Sequence, residues 1–288
     1  MSRLVGLVAA LVCVAAAAVP HQARPSAAGR RALPAFGHVV VIVFENKDQG
    51  EVLGNAAAPT FNSLASRYAR LTRYRGVTHP SLPNYLALVS GSTHGIASDC
   101  TSCLVSGRSL ADTLESAGRT WKTYAEGLPS PGFGGAGAGL YAKKHDPFLY
   151  FRDVVSRRSR LRRVVPLSQL AKDLASRRVP DFALVVPNLC HDMHDCSVRV
   201  GDRWLRGFLP PLLRNPQLAD SVVFVVFDES DSGAPEVPAL ALGPLVRPHS
   251  RFARPISHYG LLRTIEDAWG LPRLAGSASA TPITGIWR

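Results

Sequence analysis

Three segments of the chain are continuously apolar and rich in β-branched residues, at positions 38–44, 181–186 and 221–227. An apolar run without alternation is typical of a strand that is buried on both faces, as the strands of a parallel sheet are. Two weaker segments, 119–124 and 237–242, have a similar character. The pattern predicts a buried central sheet with these segments as its strands.

Segments with apolar residues at helical spacing lie between these strands, over 60–68, 82–89, 109–117, 167–175 and 257–269. The alternation predicts a three-layer α/β/α sandwich with a mostly parallel central sheet and right-handed crossovers. The chain has 288 residues, of which 46% are hydrophobic. That is enough for one large domain, which we expect over residues 38–288. Residues 128–139 are rich in Gly, Pro and Ala and predict a surface loop or flap.

The N-terminal residues have the pattern of an export signal. A short positive start precedes an uncharged apolar stretch over 4–19 and then small residues. The stretch has the length of a signal-peptide core and is slightly short for a membrane span, although a retained anchor stays an alternative. We therefore expect a signal peptide over 1–23, a Pro-, Ala- and Arg-rich leader over 24–37, and a secreted or cell-wall-associated mature chain without a transmembrane span.

Cysteine usage agrees with export. Four cysteines remain after the predicted signal, and an even number in an exported protein predicts two disulfides. The short spacings favour Cys100–Cys103 and Cys190–Cys196 among the three possible connectivities. A zinc site of the CxxC type is the alternative.

The formal net charge is +12, which attracts anions such as phosphoesters, acidic lipid headgroups or nucleic acid. Six arginines fall within a short stretch: Arg152, Arg157, Arg158, Arg160, Arg162 and Arg163. Such a run is either a solvated basic face or a patch that meets anionic lipid or another polyanion.

Polar clusters follow each of the three strong strands. They are Glu45-Asn46 after the first, residues 188–195 after the second and residues 228–231 after the third. Carboxyl ends of parallel strands meet at one edge of the sheet, where ligands bind. Three acidic clusters there would repel one another, and carboxylate and amide oxygens are ligands of hard cations. The sequence therefore predicts a divalent metal site at this edge.

A further polar segment, residues 78–85, opens a predicted helix. We expect Ser81 at its N-cap and Pro83 in the first turn, where the missing N–H of proline costs nothing. Free backbone N–H groups and the helix dipole at such a position favour a phosphate or an oxyanion. By itself, however, the segment is more typical of an ordinary serine cap.

Six short motifs occur in order along the chain: EN at 45–46, HPSLPNY at 79–85, STHG at 92–95, KHDPF at 144–148, PNLCHDMH at 187–194 and FDE at 227–229. Together they resemble the bacterial phosphoesterase family of secreted acid phosphatases and phosphatidylcholine-type phospholipases C. The similarity is greatest to short actinobacterial acid phosphatases of the phosphatidylinositol-3-phosphatase type, and it runs from about residue 38 to residue 271. The turn at Ser81 also resembles the nucleophile turn of the alkaline-phosphatase superfamily, which implies an alkaline-phosphatase-like fold.

The resemblance implies roles for individual residues. Ser81 corresponds to the nucleophile, and His145 or His194 to the acid that protonates the leaving group. The remaining implied positions are Asn84, Lys144 and Asp192 for substrate binding and Glu45, Asn46, Asp228 and Glu229 for metal binding. Asp192 could also be a ligand or orient a histidine. An oxygen-rich set of this kind favours one divalent cation, with calcium, magnesium and zinc as candidates.

The function implied is a secreted, metal-dependent acid phosphatase that hydrolyses phosphate monoesters through a phosphoserine intermediate. Phosphoinositides and other anionic lipid headgroups are candidate substrates, and no specific nucleic-acid partner is expected. One alternative is a diesterase like phospholipase C, although the resemblance implies a longer chain for that activity. The other is a catalytically silent, basic surface-binding protein.

Overall fold

The computed structural model describes Met1 and residues 33–288. The predicted signal peptide, apart from Met1, and the leader up to residue 32 lie outside the described residues. All that follows concerns the unit Leu33–Arg288. Within the described part of the chain, no helix combines the length and the apolar character needed to cross a membrane.

The secondary structure of this unit alternates along the chain. The strands are β1 (Val39–Phe44), β2 (Ala69–Leu71), β3 (Tyr74–Arg75), β4 (Trp121–Ala125), β5 (Gly137–Ala138), β6 (Tyr141–Ala142), β7 (Val164–Pro166), β8 (Phe182–Val186), β9 (Val222–Phe227), β10 (Ala239–Leu242), β11 (Arg251–Phe252) and β12 (Ile256–Ser257). The α-helices are α1 (Gln49–Val52), α2 (Pro59–Arg67), α3 (Ser81–Ser90), α4 (Leu110–Ser116), α5 (Arg152–Val155), α6 (Arg158–Leu161), α7 (Ser168–Ala175), α8 (Val198–Leu213) and α9 (His258–Trp269). Short 3-10 helices cover Lys143–His145, Pro147–Tyr150, Pro216–Leu218 and Ala275–Ser279.

The main sheet has eight strands in the order β11-β2-β10-β9-β1-β8-β4-β7. Strands β9, β1, β8, β4 and β7 are parallel neighbours, whereas β10 runs antiparallel to both β9 and β2. All five predicted strands are present. The predicted mostly parallel sheet is confirmed, and β10 is the antiparallel exception among its described strands.

Helices cover the sheet in two groups, with α3 beside α4 and α9 in one, and α2 beside α8 in the other. Because β1, β8 and β9 are buried along their whole length, their sequences are continuously apolar rather than alternating. The three-layer α/β/α architecture is confirmed. The five predicted helices also form, with ends that differ by a residue or two.

Helix α8 has no counterpart among the predicted elements. It places Leu205, Leu209 and Leu212 in the core, but it also contains Pro210 and Pro211. Proline inside a helical pattern normally marks the end of a helix, because it removes an N–H and its ring clashes with the preceding turn. The two prolines lie in the last turn of α8, so most of the helix keeps its hydrogen bonds.

An aromatic cluster fixes the strand ends that lead into the polar edge. The Phe44 ring lies 5.2 Å from that of Phe61, 5.3 Å from that of Phe227 and 5.9 Å from that of Trp204. Phe44 and Phe227 are also register partners at the ends of β1 and β9. Each such aromatic pair contributes roughly 0.5–1.5 kcal/mol to stability beyond the burial of its surface. These contacts hold the ends of β1 and β9 in place, and the residues of the polar edge follow directly.

The cysteines form the two predicted disulfides, Cys100–Cys103 and Cys190–Cys196. A zinc site of the CxxC type needs free thiolates, and these four cysteines have none because they are disulfide-bonded. The predicted flap over 128–139 also lies largely at the surface.

The arginine run is not uniform. Arg160 is buried, with Nη1 2.7 Å from Asp112 Oδ1 and Nη2 2.8 Å from Glu115 Oε2, and it also pairs with Asp153. Arg163 contacts Glu115 and lies over the ring of Trp121. The side chains of the other four arginines are exposed. The stretch is therefore neither of the two uniform surfaces that its sequence suggests, because the buried guanidinium of Arg160 is paired with three half-buried carboxylates.

Candidate active site

Glu45 lies at the end of β1 and is fully buried. Its Oε2 accepts a hydrogen bond of 2.9 Å from Ser81 Oγ, and its Oε1 accepts one from the Tyr85 hydroxyl. His145 Nε2 lies 3.3 Å from the same Oε2. One carboxylate thus gathers a serine, a tyrosine and a histidine from two different segments.

Ser81 is the first residue of α3, and Pro80, not Ser81, is the N-cap. The predicted N-cap position was therefore wrong by one residue. The N–H of Leu82 is bound by Asp99 Oδ1 at 2.9 Å, so a carboxylate from a distant loop satisfies this helix start. The Ser81 side chain is consequently free to turn toward Glu45. Tyr85 follows Ser81 by four residues and shares its helix face, which brings both hydroxyls to Glu45.

His145 is held between two carboxylates. Its Nε2 faces Glu45, its Nδ1 lies 3.3 Å from Asp192 Oδ2, and its ring stacks on Tyr85 with centroids 5.3 Å apart. Burial by itself lowers the pKa of His145, but the charges of Glu45 and Asp192 outweigh it and raise that pKa to about 9. Burial likewise would raise the pKa of Glu45, and His145 instead brings it down to about 2. Each of the two groups therefore stabilises the charged form of the other.

Lys144 and His194 form the more accessible side of the site. Lys144 Nζ lies 2.9 Å from Asp99 Oδ2 and 3.1 Å from His194 Nε2. His194 Nδ1 lies 2.6 Å from Asp195 Oδ1. The side chains of Lys144 and His194 are 20% and 27% exposed, whereas Ser81 is 1% exposed. Asp99 connects this side to the start of α3, next to Ser81.

Asp228 follows β9 and lies beside Glu45, because β1 and β9 are adjacent and in register. Its Oδ1 accepts from the backbone N–H of Asn46 at 3.1 Å, while its buried Oδ2 has no hydrogen-bond partner among residues 33–288. Burial and the charges of Glu45 and Glu229 raise the pKa of Asp228 well above its usual range. Asn46 adopts a positive φ of 49°, which asparagine tolerates better than most residues.

Asn84 reaches the same cluster from α3, but both the oxygen and the nitrogen of its amide already have hydrogen-bond partners within the protein. Its Nδ2 donates to Glu229 Oε2 at 3.0 Å, and its Oδ1 accepts from the backbone N–H groups of Val77 and Thr78. The side chain is fully buried. In this structure Asn84 therefore holds the turn before α3 and orients Glu229.

Burial and the nearby Glu45 charge raise the pKa of Glu229 to about 8. Three buried carboxylates, Glu45, Asp228 and Glu229, thus share one edge of the sheet. The unpartnered Asp228 oxygen and this mutual repulsion fit a bound cation, and the donor set suits a hard metal. A second arrangement also exists, since ligand atoms of Glu45, His145 and His194 lie within 4.8 Å of one another. Glu45 belongs to both sets.

Several residues of the site were not found from the sequence. Asp99 and Tyr85 contact its central groups, and His79 Nδ1 lies 3.0 Å from Glu229 Oε2 with its side chain 57% exposed. The four-residue spacing from Ser81 could have pointed to Tyr85. Asp99 has no local signal, because a loop brings it from outside α3.

The contacts of His258 and His94 indicate structural roles for both histidines. His258 is buried at the start of α9, with Nδ1 2.9 Å from the Tyr74 hydroxyl and Nε2 2.7 Å from the backbone oxygen of Asp228. Burial lowers its pKa to about 4, so it is neutral and fixes the backbone of a predicted metal ligand. His94 lies 2.9 Å from Ser90 Oγ in its own turn and packs on Phe151 from a distant segment.

A mostly parallel sheet covered by helices in two groups is a fold that this chain shares with solved structures. A member of that superfamily from Vibrio parahaemolyticus superposes with a TM-score of 0.60 at 12% identity, covering 88% of this chain and 73% of that one. Murine ectonucleotide pyrophosphatase/phosphodiesterase 5 gives a TM-score of 0.56 at 11% identity, covering 82% and 96%. The alkaline-phosphatase-like fold is confirmed.

Residues 53–272 match the model of the Phosphoesterase family, and the chain belongs to that family. It is 39% identical over 260 residues to the phosphatidylinositol-3-phosphatase of Mycobacterium tuberculosis, covering 89% of this chain and 84% of the relative. It is 31% identical over 254 residues to an acid phosphatase of Aspergillus fumigatus, and there it spans only 56% of the relative's length. The predicted resemblance is confirmed, as is the enzyme class of a phosphoric ester hydrolase.

Proposed function

We propose that this protein is an exported, metal-dependent phosphatase that hydrolyses phosphate monoesters through a phosphoserine on Ser81. The observation that carries the proposal is the hydrogen bond from Ser81 Oγ to the buried Glu45, inside a cluster of carboxylates and histidines at the sheet edge. A serine that served only as a helix cap would bond to its own backbone instead.

Ser81 attacks phosphorus, so that an Oγ–P bond forms and the P–O bond to the alcohol breaks. Glu45 is ionised, orients the Ser81 hydroxyl for that attack through its hydrogen bond, and takes up the hydroxyl proton as the Oγ–P bond forms. The departing alkoxide takes a proton from a histidine. Water then attacks the phosphoserine and gives its proton to the same histidine, while Glu45 returns the first proton to Ser81 Oγ as phosphate leaves.

The two histidines differ in their suitability as the acid. His145 is 1% exposed and fixed between Glu45 and Asp192, where its charge is needed to neutralise them. His194 is more exposed, and Asp195 holds its Nδ1. In this structure His194 Nε2 accepts from Lys144 Nζ, so His194 donates to the alkoxide only as an imidazolium whose Nε2–H has turned from Lys144 to the leaving group. On that condition we assign proton donation to His194 and a positioning and charge-balancing role to His145. Lys144, beside His194, places a cation for the phosphoryl oxygens.

The metal ligands that we propose are Glu45, Asn46, Asp228 and Glu229. A divalent cation bound there supplies positive charge that polarises the phosphoryl group and lowers the pKa of the serine hydroxyl. Burial and the charge of Glu45 raise the pKa values of Asp228 and Glu229, and a cation bound there would offset that cost. Calcium, magnesium and zinc are all compatible with this donor set.

Export and the substrate class follow from other observations. Two disulfides favour an oxidising compartment, which supports secretion. The name of the mycobacterial relative supports phosphoinositides as substrates, and the net charge of +12 suits an anionic headgroup. No specific nucleic-acid partner is proposed.

The nucleophile is tested with Ser81→Ala and with Ser98→Ala as the matched control, because Ser98 is an exposed serine near the site. We expect Ser81→Ala to abolish hydrolysis of p-nitrophenyl phosphate, and Ser98→Ala to leave it unchanged. Acid-quenched wild-type protein should carry phosphate on Ser81 by peptide mass spectrometry. A Ser81→Ala protein with wild-type turnover would refute the assignment. Turnover of bis(p-nitrophenyl) phosphate above that of the monoester would favour the diesterase.

The metal set is tested by metal content after dialysis, independently of activity. We expect Asp228→Asn to lose the bound cation and His194→Gln to keep it. The opposite result would place the cation on Glu45, His145 and His194 instead. Full activity of wild-type protein after exhaustive chelation would contradict metal dependence.

A further inference from the structure

Within residues 33–288, large hydrophobic side chains are exposed at two positions, Leu104 at 36% and Leu140 at 47%. Isolated exposed leucines are common on protein surfaces and carry no meaning by themselves. These two, however, lie on the two loops that deliver Asp99, Lys144 and His145 to the site.

The first loop carries Asp99 and Leu104. It is closed by the Cys100–Cys103 disulfide, directly before Leu104. Lys143 Nζ donates to the backbone oxygen of Thr101 at 2.8 Å, and Lys144 binds Asp99 at 2.9 Å. These two contacts fix the loop of Leu104 to the segment that carries Lys144.

The second loop is the hairpin of β5 and β6, with Leu140 at its turn. The backbone oxygen of Leu140 accepts from the N–H of Leu189 at 3.0 Å, in the segment that continues to Asp192 and His194. Lys143 follows β6 directly. Leu140 is thus tied to the segments of Asp192, His194 and Lys144, as Leu104 is tied to that of Lys144.

Basic residues accompany Leu104. Arg108 lies four residues further along, and the backbone N–H of Arg152 donates to the oxygen of Val105 at 3.1 Å. Both arginines are exposed, and neither has an ion-pair partner within the described part of the chain. The one acidic residue of the first loop, Asp99, is occupied by Lys144. Exposed apolar tips with unpaired cations are the composition of a surface that binds anionic membranes.

We propose that Leu104, Leu140, Arg108 and Arg152, here named the leucine rim, dock the protein on an anionic phospholipid surface. The two leucines enter the headgroup region, the arginines meet lipid phosphates, and the candidate active site lies close to phosphate esters at that surface. The use of that site rests on the phosphatase function proposed above, whereas binding by the rim does not.

The test is sedimentation of the protein with vesicles of phosphatidylcholine, with and without phosphatidylserine, which is not a monoester substrate. We expect the wild type to bind the vesicles that contain phosphatidylserine. Leu104→Ser with Leu140→Ser should weaken that binding roughly tenfold and leave p-nitrophenyl phosphate hydrolysis unchanged. Arg108→Gln with Arg152→Gln should weaken it as well and reduce its dependence on salt.

The matched control is Arg177→Gln with Arg178→Gln, since both side chains are exposed and precede β8, at the opposite edge of the sheet. This pair should bind like the wild type. The proposal would be overturned if phosphatidylserine did not increase vesicle binding by the wild type. It would also be overturned if the double leucine variant and the double arginine variant bound as well as the control variant. Loss of monoester hydrolysis in wild type would instead count against the proposed function and leave the vesicle result intact.

Discussion

Asp146 offers a quantitative test of how this fold treats a buried charge. It is fully buried next to the 3-10 helix Pro147–Tyr150, and neither carboxylate oxygen has a hydrogen-bond partner among residues 33–288. Burial raises its pKa from 3.8 to about 8, which Lys143 offsets only in part. Asp146→Asn keeps the shape of the side chain and removes only the charge.

The sign follows from proton linkage. Between pH 4 and pH 8 the folded protein holds a proton on Asp146 that the unfolded chain releases. The free energy of unfolding of the wild type therefore falls as pH rises through that window. The ceiling is about 6 kcal/mol, at about 1.4 kcal/mol for each pH unit. Relaxation and water entry around a buried charge reduce this, and we expect about 3 kcal/mol.

The measurement is urea unfolding of wild type and Asp146→Asn at several pH values from 4 to 8. The difference between the two free energies should be small near pH 4 and should grow to about 3 kcal/mol in favour of the variant at pH 8. Glu266, whose pKa burial raises to about 7, contributes equally to both proteins and cancels. Asp220→Asn, at an exposed aspartate, is the control. Parallel curves for wild type and Asp146→Asn would refute the reasoning.

Three further predictions concern the site and the arginine run. Tyr85→Phe removes a hydroxyl that donates a hydrogen bond to the buried Glu45. Because a hydrogen bond to a charged group contributes about 1.5–3 kcal/mol, kcat/KM for p-nitrophenyl phosphate should fall about 10- to 100-fold. An unchanged kcat/KM would show that Glu45 needs no second donor. Glu229→Gln should abolish the rise in Tm that added divalent cation gives the wild type, and an equal rise in both would exclude Glu229 as a ligand. Arg160→Gln should cost about 1.5–3 kcal/mol of unfolding free energy, because it removes the charged hydrogen bonds of a buried guanidinium to half-buried carboxylates. The exposed Arg158→Gln should cost almost nothing, and equal losses would contradict the special place of Arg160 in the run.

Much of the fold could be predicted from the sequence because its signals are local. The apolar runs of β1, β8 and β9 report strands covered on both faces, and the residues that follow them meet at one edge by the geometry of parallel strands. The convergence of Glu45, Asp228 and Glu229 was predictable for the same reason. The short spacings favoured the two disulfides that the structure contains, although the sequence allowed three connectivities.

Helix α8 and the reversed direction of β10 were not predictable in this way. Strand direction depends on how a connection returns to the sheet, and Pro210 in α8 imitates a helix end. Both depend on packing against elements that are distant in sequence.

The arrangement of the site itself was decided by tertiary structure. Judged from its own segment, Ser81 is an ordinary serine at the start of a helix. Its hydrogen bond to Glu45 exists only because the fold brings β1 next to α3. Asp99 reaches α3 from a loop with no motif, and Arg160 differs from its neighbours because the fold brings Asp112, Glu115 and Asp153 to it. The sequence by itself determined which side chains stand at the ends of the strands, because that depends on residues a few positions apart. The partners, the charges and the pKa values come from contacts between residues far apart in the chain, which exist only in the folded protein.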